Sequence, residues 1–171
     1  MSVVCTVLVL GVAYAAIQNV TLTVSGTATA TSDQGNFDVT FTGTPTVAPL
    51  AEGHSGSGTL VIDQGSLTAT MNVSGFKKIG DTVKATITVT NNSTDLGTTL
   101  VASKSAVAEK LGDTNLTKSE YFEVVSAELD TTTLAAGEST TLTILVKLVK
   151  VPVSADVTAT FNVTVVATPV N

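Results

Sequence analysis

From residue 17 onward the chain repeats one pattern, in which apolar and hydroxyl-bearing side chains alternate with a period of two. That is the spacing of a strand with one face in a core and the other in water. The first such run, Gln18 to Ala30, sets Val20, Leu22, Val24, Gly26, Ala28 and Ala30 on one face, and Asn19, Thr21, Thr23, Ser25, Thr27 and Thr29 on the other. Extended, it spans about 40 Å at ~3.3 Å per residue, whereas an ordinary strand has about 5–6 residues. A strand of that length near the front of the chain, followed by the turn-like stretch Thr31 to Gly35, predicts pairing beyond its own domain.

The later runs carry the same code. Phe37, Val39 and Phe41 alternate with Asp38, Thr40 and Thr42. After a loop rich in Pro and Gly (43–58), Leu60 and Ile62 precede Leu67, Ala69, Met71 and Val73. Then come Val83 to Val89, Leu142 to Leu148 and Val157 to Val165, each with hydroxyls between the apolar positions. Faces of this kind fit two antiparallel sheets packed together. Residues 96–121 break the pattern: 102–111 predict a short helix or a loop, and Thr117-Lys118-Ser119-Glu120 has the capping-box spacing of a single helical turn. The expected fold is all-β, an antiparallel two-sheet sandwich of jelly-roll type with about eight strands. The expected organisation is an apolar segment at 1–16, a donor strand at 17–31 and a sandwich domain at 32–171.

Composition narrows the class. Hydrophobic residues make up 43% and charged residues 13%, Trp is absent, and the eight cations are all lysines. Thr and Ser together form about a quarter of the chain, and Thr and Val both favour a pleated surface. A net charge of −6 without guanidinium groups argues against nucleic acid and against anionic membrane surfaces. The apolar run Val3 to Ala16 is shorter than the ~20 residues of a spanning helix. It resembles a secretory h-region with a small-x-small site at Ala13-Tyr14-Ala15, although no Lys or Arg precedes it. It is expected to be either a leader or a retained arm, with membrane contact only during secretion.

Chemistry-bearing motifs are scarce. Cys5 is the only cysteine, which excludes an intramolecular disulfide and a Cys-based metal site. His54, the only histidine, lies in the Gly-rich stretch Glu52 to Gly58, where a Ser–His–carboxylate relay would lack a rigid frame. No phosphate-loop, zinc, EF-hand or dinucleotide fingerprint is present. The acids Asp33, Asp63, Asp81, Asp95, Asp113 and Asp130 sit where turns are expected and lack ligand spacing, so no metal, cofactor or enzymatic activity is expected. Lys84 and Lys147 fall on polar faces, which disfavours a buried Lys–Asn cross-link. The one enriched motif is Asn-x-Ser/Thr, starting at Asn19, Asn72, Asn91, Asn92, Asn115 and Asn162. These are candidate glycosylation sites or by-products of alternation.

In order along the chain, Gly58-Thr59-Leu60, Ala69 to Val73, Ile79-Gly80-Asp81, Val83 to Val89, Asn91-Asn92, Phe122-Glu123-Val124, Leu134 to Gly137 and Phe161 to Ala167 resemble the layout of the TasA/camelysin family of biofilm-matrix fibre proteins. The likeness is greatest to their archaeal bundling-pilin relatives. Ile79 stands where the family has Pro. The resemblance implies a jelly-roll subunit of an extracellular filament, a homopolymer in which each N-terminal strand completes the sheet of the next subunit, with possible bundling of neighbouring filaments. Val20, Leu22 and Val24 would fill pockets, and Gly26 and Ala28 would allow close approach. The competing expectations are a monomeric secreted or cell-surface sandwich that binds carbohydrate or mediates adhesion, and a surface-layer component.

Overall fold

Period-two alternation becomes burial strand by strand in the computed structural model, which describes residues 37–62, 67–105 and 107–170. These residues form eleven strands and no helix: β1 (Val39–Pro49), β2 (Ser57–Ile62), β3 (Thr68–Ser74), β4 (Thr82–Asn91), β5 (Gly97–Lys104), β6 (Ala108–Leu111), β7 (Thr114–Asn115), β8 (Phe122–Leu129), β9 (Thr133–Leu134), β10 (Ser139–Leu148) and β11 (Val157–Val170). All pairings are antiparallel. One sheet has the order β1-β4-β10-β8. The other runs β2-β3-β11-β5-β9, with β6 paired to β11 and β7 to β6. The sandwich is open, not closed into a barrel.

The core lies between the sheets. Val83, Ala85, Ile87 and Val89 of β4, Leu142, Ile144, Val146 and Leu148 of β10, and Phe161, Val163 and Val165 of β11 are buried. Each large apolar side chain removed from water contributes about 1.5–3 kcal/mol before entropy is counted. The hydroxyls between them bond across strands on the outer face, as in Thr42–Thr90 (2.7 Å), Thr90–Ser139 (2.8 Å) and Thr46–Thr86 (2.6 Å). Such cross-strand pairs reinforce the register that alternation sets.

Two expectations fail in the 96–121 region. Residues 102–111 hold no helix among the described residues and are mostly strand, because β5 continues to Lys104 and β6 follows at Ala108. The phase breaks between them, where Ser105 N–H donates to Asn162 O at 2.9 Å and Asn162 N–H donates to Ser105 Oγ at 2.9 Å. The capping-box tetrad forms no helical turn, since Ser119 and the amides after it serve a buried glutamate described below. The described residues hold eleven strands where about eight were expected, and β5 and the short β6, β7 and β9 are among those the alternation did not show. The expected donor strand, with Asn19, Val20, Leu22, Val24, Gly26 and Ala28, lies outside the described residues, as does the 1–16 segment.

The registers gather the loops at two poles. At the first pole, β1 begins opposite Asn91, β10 begins opposite Thr90, and β11 ends opposite Gly97. At the second, β1 ends opposite Val83, β8 begins opposite Leu148, and β11 begins opposite Leu111.

Gly58 leaves no room for a side chain: a Cβ there would sit 2.5 Å from Asn72 O on the paired strand β3 and 3.3 Å from Val47 Cγ1 of the facing sheet. Gly58→Ala is expected to cost about 1–3 kcal/mol, read as a lower midpoint in urea unfolding.

Candidate functional site

A length mismatch in the larger sheet creates the most conspicuous feature. β11 has 14 residues and β3 has 7. Their ladder stops at Thr164↔Thr68, with one further bond from Val165 N–H to Leu67 O at 2.8 Å. That bond fixes the parity: odd-numbered residues of β11 turn their N–H and C=O toward β3, and even-numbered ones toward β5. Among the described residues, no strand pairs with β11 past Val165 on the β3 side, so the polar groups of Ala167 face an open edge. Pro169 falls on the same parity, which explains how a proline is accommodated there without loss to the β5 ladder.

The apolar side chains at this end are only partly covered. Val39 and Phe41 of β1, Ile62 at the end of β2, Leu67 before β3, and Ala167 of β11 pack on the core but remain half-buried. Phe41 lies opposite Val89, and Ile62 opposite Ala69, so both point to the stretch where β2 and β3 stop and β11 continues.

Two other edges, β8 and β1, are blunted. On β8, the Lys104 ammonium donates to the carbonyls of Val124 and Val125 (3.1 Å to the latter), beside a register shift at Leu145/Val146. A lysine and a bulge are standard protections of an edge strand. β1 carries its own register shift between Thr42 and Thr46, spanning Pro45, and ends in Pro49.

At the second pole, His54, Ser55 and Asp81 do come together. Ser55 Oγ donates to Asp81 Oδ2, which also accepts from the amides of Lys77 (2.9 Å) and Lys78 (3.1 Å). His54 Nδ1 accepts from Thr82 N–H at 3.0 Å. The bonding is not that of a catalytic relay: the serine proton goes to the carboxylate and the imidazole takes a backbone amide. The set ties the 50–56 loop to the β3–β4 turn. The Ser55 hydroxyl, and then the Lys77 and Lys78 amides, hold the Asp81 carboxyl far below the usual carboxylate range, against opposing desolvation. Asp81 Oδ1 is buried with no hydrogen-bond partner among the described residues.

A depressed carboxylate contributes stability that is fully present above its unfolded value of about 3.9 and lost as pH falls below it. Asp81→Asn is therefore expected to lower the melting temperature at pH 7, and to do so progressively less as pH falls from 5 to 2. Circular dichroism melts across that range check this, and a constant offset would contradict it.

Sequence reasoning missed Glu109. It is 2% exposed on β6, and its carboxylate accepts from Ser119 Oγ (3.0 Å), Glu120 N–H (2.8 Å), Tyr121 N–H (3.1 Å) and Phe122 N–H (2.7 Å). It pins the irregular 116–121 segment and starts β8. The available signal is a charge at a core-phase position, two residues from both Val107 and Leu111.

The candidate glycosylation asparagines divide. Asn72 and Asn162 are exposed on the outer face of the larger sheet, where Thr160 Oγ1 donates to Asn72 Oδ1 (2.8 Å) and Thr70 Oγ1 to Asn162 Oδ1 (2.9 Å). Asn115 is exposed on β7, and exposed Asn92 donates to Thr40 Oγ1 at 2.8 Å. Asn91 is 0% exposed; its Nδ2 donates to Leu96 O (2.8 Å) and Ala135 O (3.1 Å). The folded chain does not present that amide to a modifying enzyme, and Asn19 lies outside the described residues. Among the described residues, no three His, Cys, Asp or Glu side chains gather as a metal site. Compared with family models, curated proteins and solved structures, the chain matches none.

Proposed function

We propose that the chain is a structural, non-catalytic subunit of an extracellular filament, a jelly-roll domain that polymerises head-to-tail when the 17–31 strand of one copy pairs with the open edge of β11 in the next. The observation that carries this is the stretch of β11 past Val165, which among the described residues has no partner on its β3 side and is flanked by half-buried Phe41, Ile62, Leu67 and Ala167. An inserted strand supplies main-chain hydrogen bonds, and its alternate side chains, Val20, Leu22 and Val24, fill apolar positions. Donation of this kind is heterologous and yields an open polymer.

A second possibility has its own observation. The chain enters β1 at the first pole, held by Asp38 N–H to Ser93 Oγ (2.9 Å) and Asn92 N–H to Asp38 O (2.7 Å). A segment entering there starts next to the open edge of its own subunit, which would complete a monomeric surface module.

Ala167→Pro separates the two. It removes the one N–H on the open edge and leaves the β5 ladder intact. In negative-stain microscopy of the full chain, filament assembly requires that wild type forms filaments and that Ala167→Pro loses them with little change in melting temperature. Particles that stay monomeric in wild type, with a lower melting temperature in the variant, would favour the self-completed module.

A further inference from the structure

The two poles differ in chemistry. Of the described large apolar residues that are exposed, five lie at the second pole: Leu50 after β1, Ile79 in the β3–β4 turn, and Val149, Val151 and Val153 after β10, with Val153 97% exposed and Ile79 63%. A solvated loop gains nothing from such residues, and an apolar cluster rimmed by polar groups marks a contact surface. Lysines follow the same polarity. Lys77 and Lys78 flank Ile79, Lys84 lies opposite Ala48, Lys147 opposite Thr82, and Lys110 opposite Thr158. Only Lys104, opposite Val163, sits toward the middle.

The first pole has no lysine. It presents Asp38, Asp95 and Asp130, all exposed, together with Glu138, which caps its own turn by accepting from Ala135 N–H at 2.8 Å. The second pole has acids as well. Asp113 and Asp156 belong to the β6–β7 side, where Gly112 N–H donates to Asp156 O at 2.8 Å, and Glu120 is paired with Lys150 at 2.8 Å. Nearer Ile79 the exposed acids are Glu52, in the 50–56 loop, and Glu123, which lies opposite Lys147 on the β8–β10 ladder, while Asp81 is buried.

We infer that the second pole, with Leu50, Ile79, Val151 and Val153 framed by Lys77 and Lys78, is a docking face for the acidic first pole of another copy of this chain. This deepens the filament assembly proposed above and rests on it for its biological setting, but the contact is separate from the inserted strand. Complementary poles orient encounters and set head-to-tail direction before any strand exchange. Opposite faces on one molecule make the contact heterologous, so it repeats along one axis.

The test uses the full chain carrying Leu22→Asp, which disables strand insertion, in sedimentation velocity at low ionic strength. Pole docking predicts concentration-dependent self-association that weakens by about tenfold or more when salt rises past 0.3 M, roughly where screening falls to a few ångströms. Adding Lys77→Glu with Lys78→Glu should lower the association constant by at least about tenfold. Placing Asp95→Lys and Asp130→Lys in that same chain should restore it, because the complementarity is then reversed as a whole. Val153→Asp, at a position too exposed to affect folding, should weaken association as well. A monomer under all conditions, or association indifferent to the charge reversals, overturns the docking face. Should Leu22→Asp still form filaments, strand insertion fails, and the same charge variants read on those filaments still decide the docking face.

Discussion

Glu109→Ala is expected to destabilise the subunit by about 3–5 kcal/mol, a large share of the ~5–15 kcal/mol that holds a domain folded. The carboxylate is the acceptor for one hydroxyl and three consecutive amides, those of Glu120, Tyr121 and Phe122. Tyr121 and Phe122 are buried, so their N–H groups cannot all turn to water when the acceptor is removed. Each buried donor left unmatched costs about 1–3 kcal/mol. The loss also spreads, because Phe122 opens β8, packs edge-on against Phe76 with ring centroids 5.1 Å apart, and pairs with Leu148. Glu109→Gln keeps one acceptor oxygen and places an NH₂ group against amide donors, so it should fall between wild type and Ala. Urea unfolding reads the effect as a lower midpoint at unchanged slope. Glu120→Gln, on an exposed residue that loses only a surface ion pair, should leave the midpoint in place.

Leu22→Asp, and equally Val20→Asp, is expected to abolish polymerisation while leaving a folded, soluble subunit. In the proposed assembly these side chains enter the apolar stretch framed by Phe41, Ile62, Leu67 and Ala167. The substitution forfeits about 1.5–3 kcal/mol of apolar burial and adds the cost of placing a carboxylate where nothing cationic receives it. Together these lower the association constant by at least about a thousandfold. Free subunits should melt as wild-type subunits do, because the strand serves a neighbour. Filaments of normal length from both variants would remove residues 20–22 from the interface. A lowered melting temperature in a monomer would mean that the strand completes its own subunit.

Strands with strict alternation were legible from the sequence. β4, β10 and the first two-thirds of β11 carry an apolar residue at every second position over four or more repeats, and only one register buries such a set. The end of β11 was less visible, because Thr168-Pro169-Val170 reads as a strand terminus. The proline is tolerated only because its nitrogen faces away from β5, and parity of that kind depends on tertiary pairing. β5 and β6 were obscured by the phase break at Ser105 to Val107, which the sequence alone cannot separate from a helix or a loop. Asp81 read as a turn residue, and it does bond the Lys77 and Lys78 amides; its tie to Ser55, 26 residues away, carries no local signature. Glu109 is the sharpest case. A charge at a core-phase position looks like a surface residue until the donors that satisfy it, 10–13 residues later, fold around it.

The same limit applies to the open edge. The alternation of 17–31 predicts a strand, but the site proposed for it depends on β3 beginning only at Thr68 while β11 runs on to Val170. A difference in strand length of this kind emerges only once the registers are known. Edge protection by Lys104 on β8 points the same way: that strand is closed against pairing, and among the described residues the β3 side of β11 past Val165 is not.

The most direct test of strand exchange is a disulfide trap. In a Cys5→Ser background, Ala167→Cys is combined in turn with Val20→Cys, Leu22→Cys and Val24→Cys, and the assembled full chain is mildly oxidised. A bond forms only where the Cα atoms come within about 4.4–6.8 Å, so at least one pairing should give a ladder of covalent multimers on a non-reducing gel that collapses to monomer on reduction. A single compact monomer band, closed by an intramolecular bond, or no cross-link from any of the three pairings, would contradict insertion of one subunit's strand beside β11 of the next.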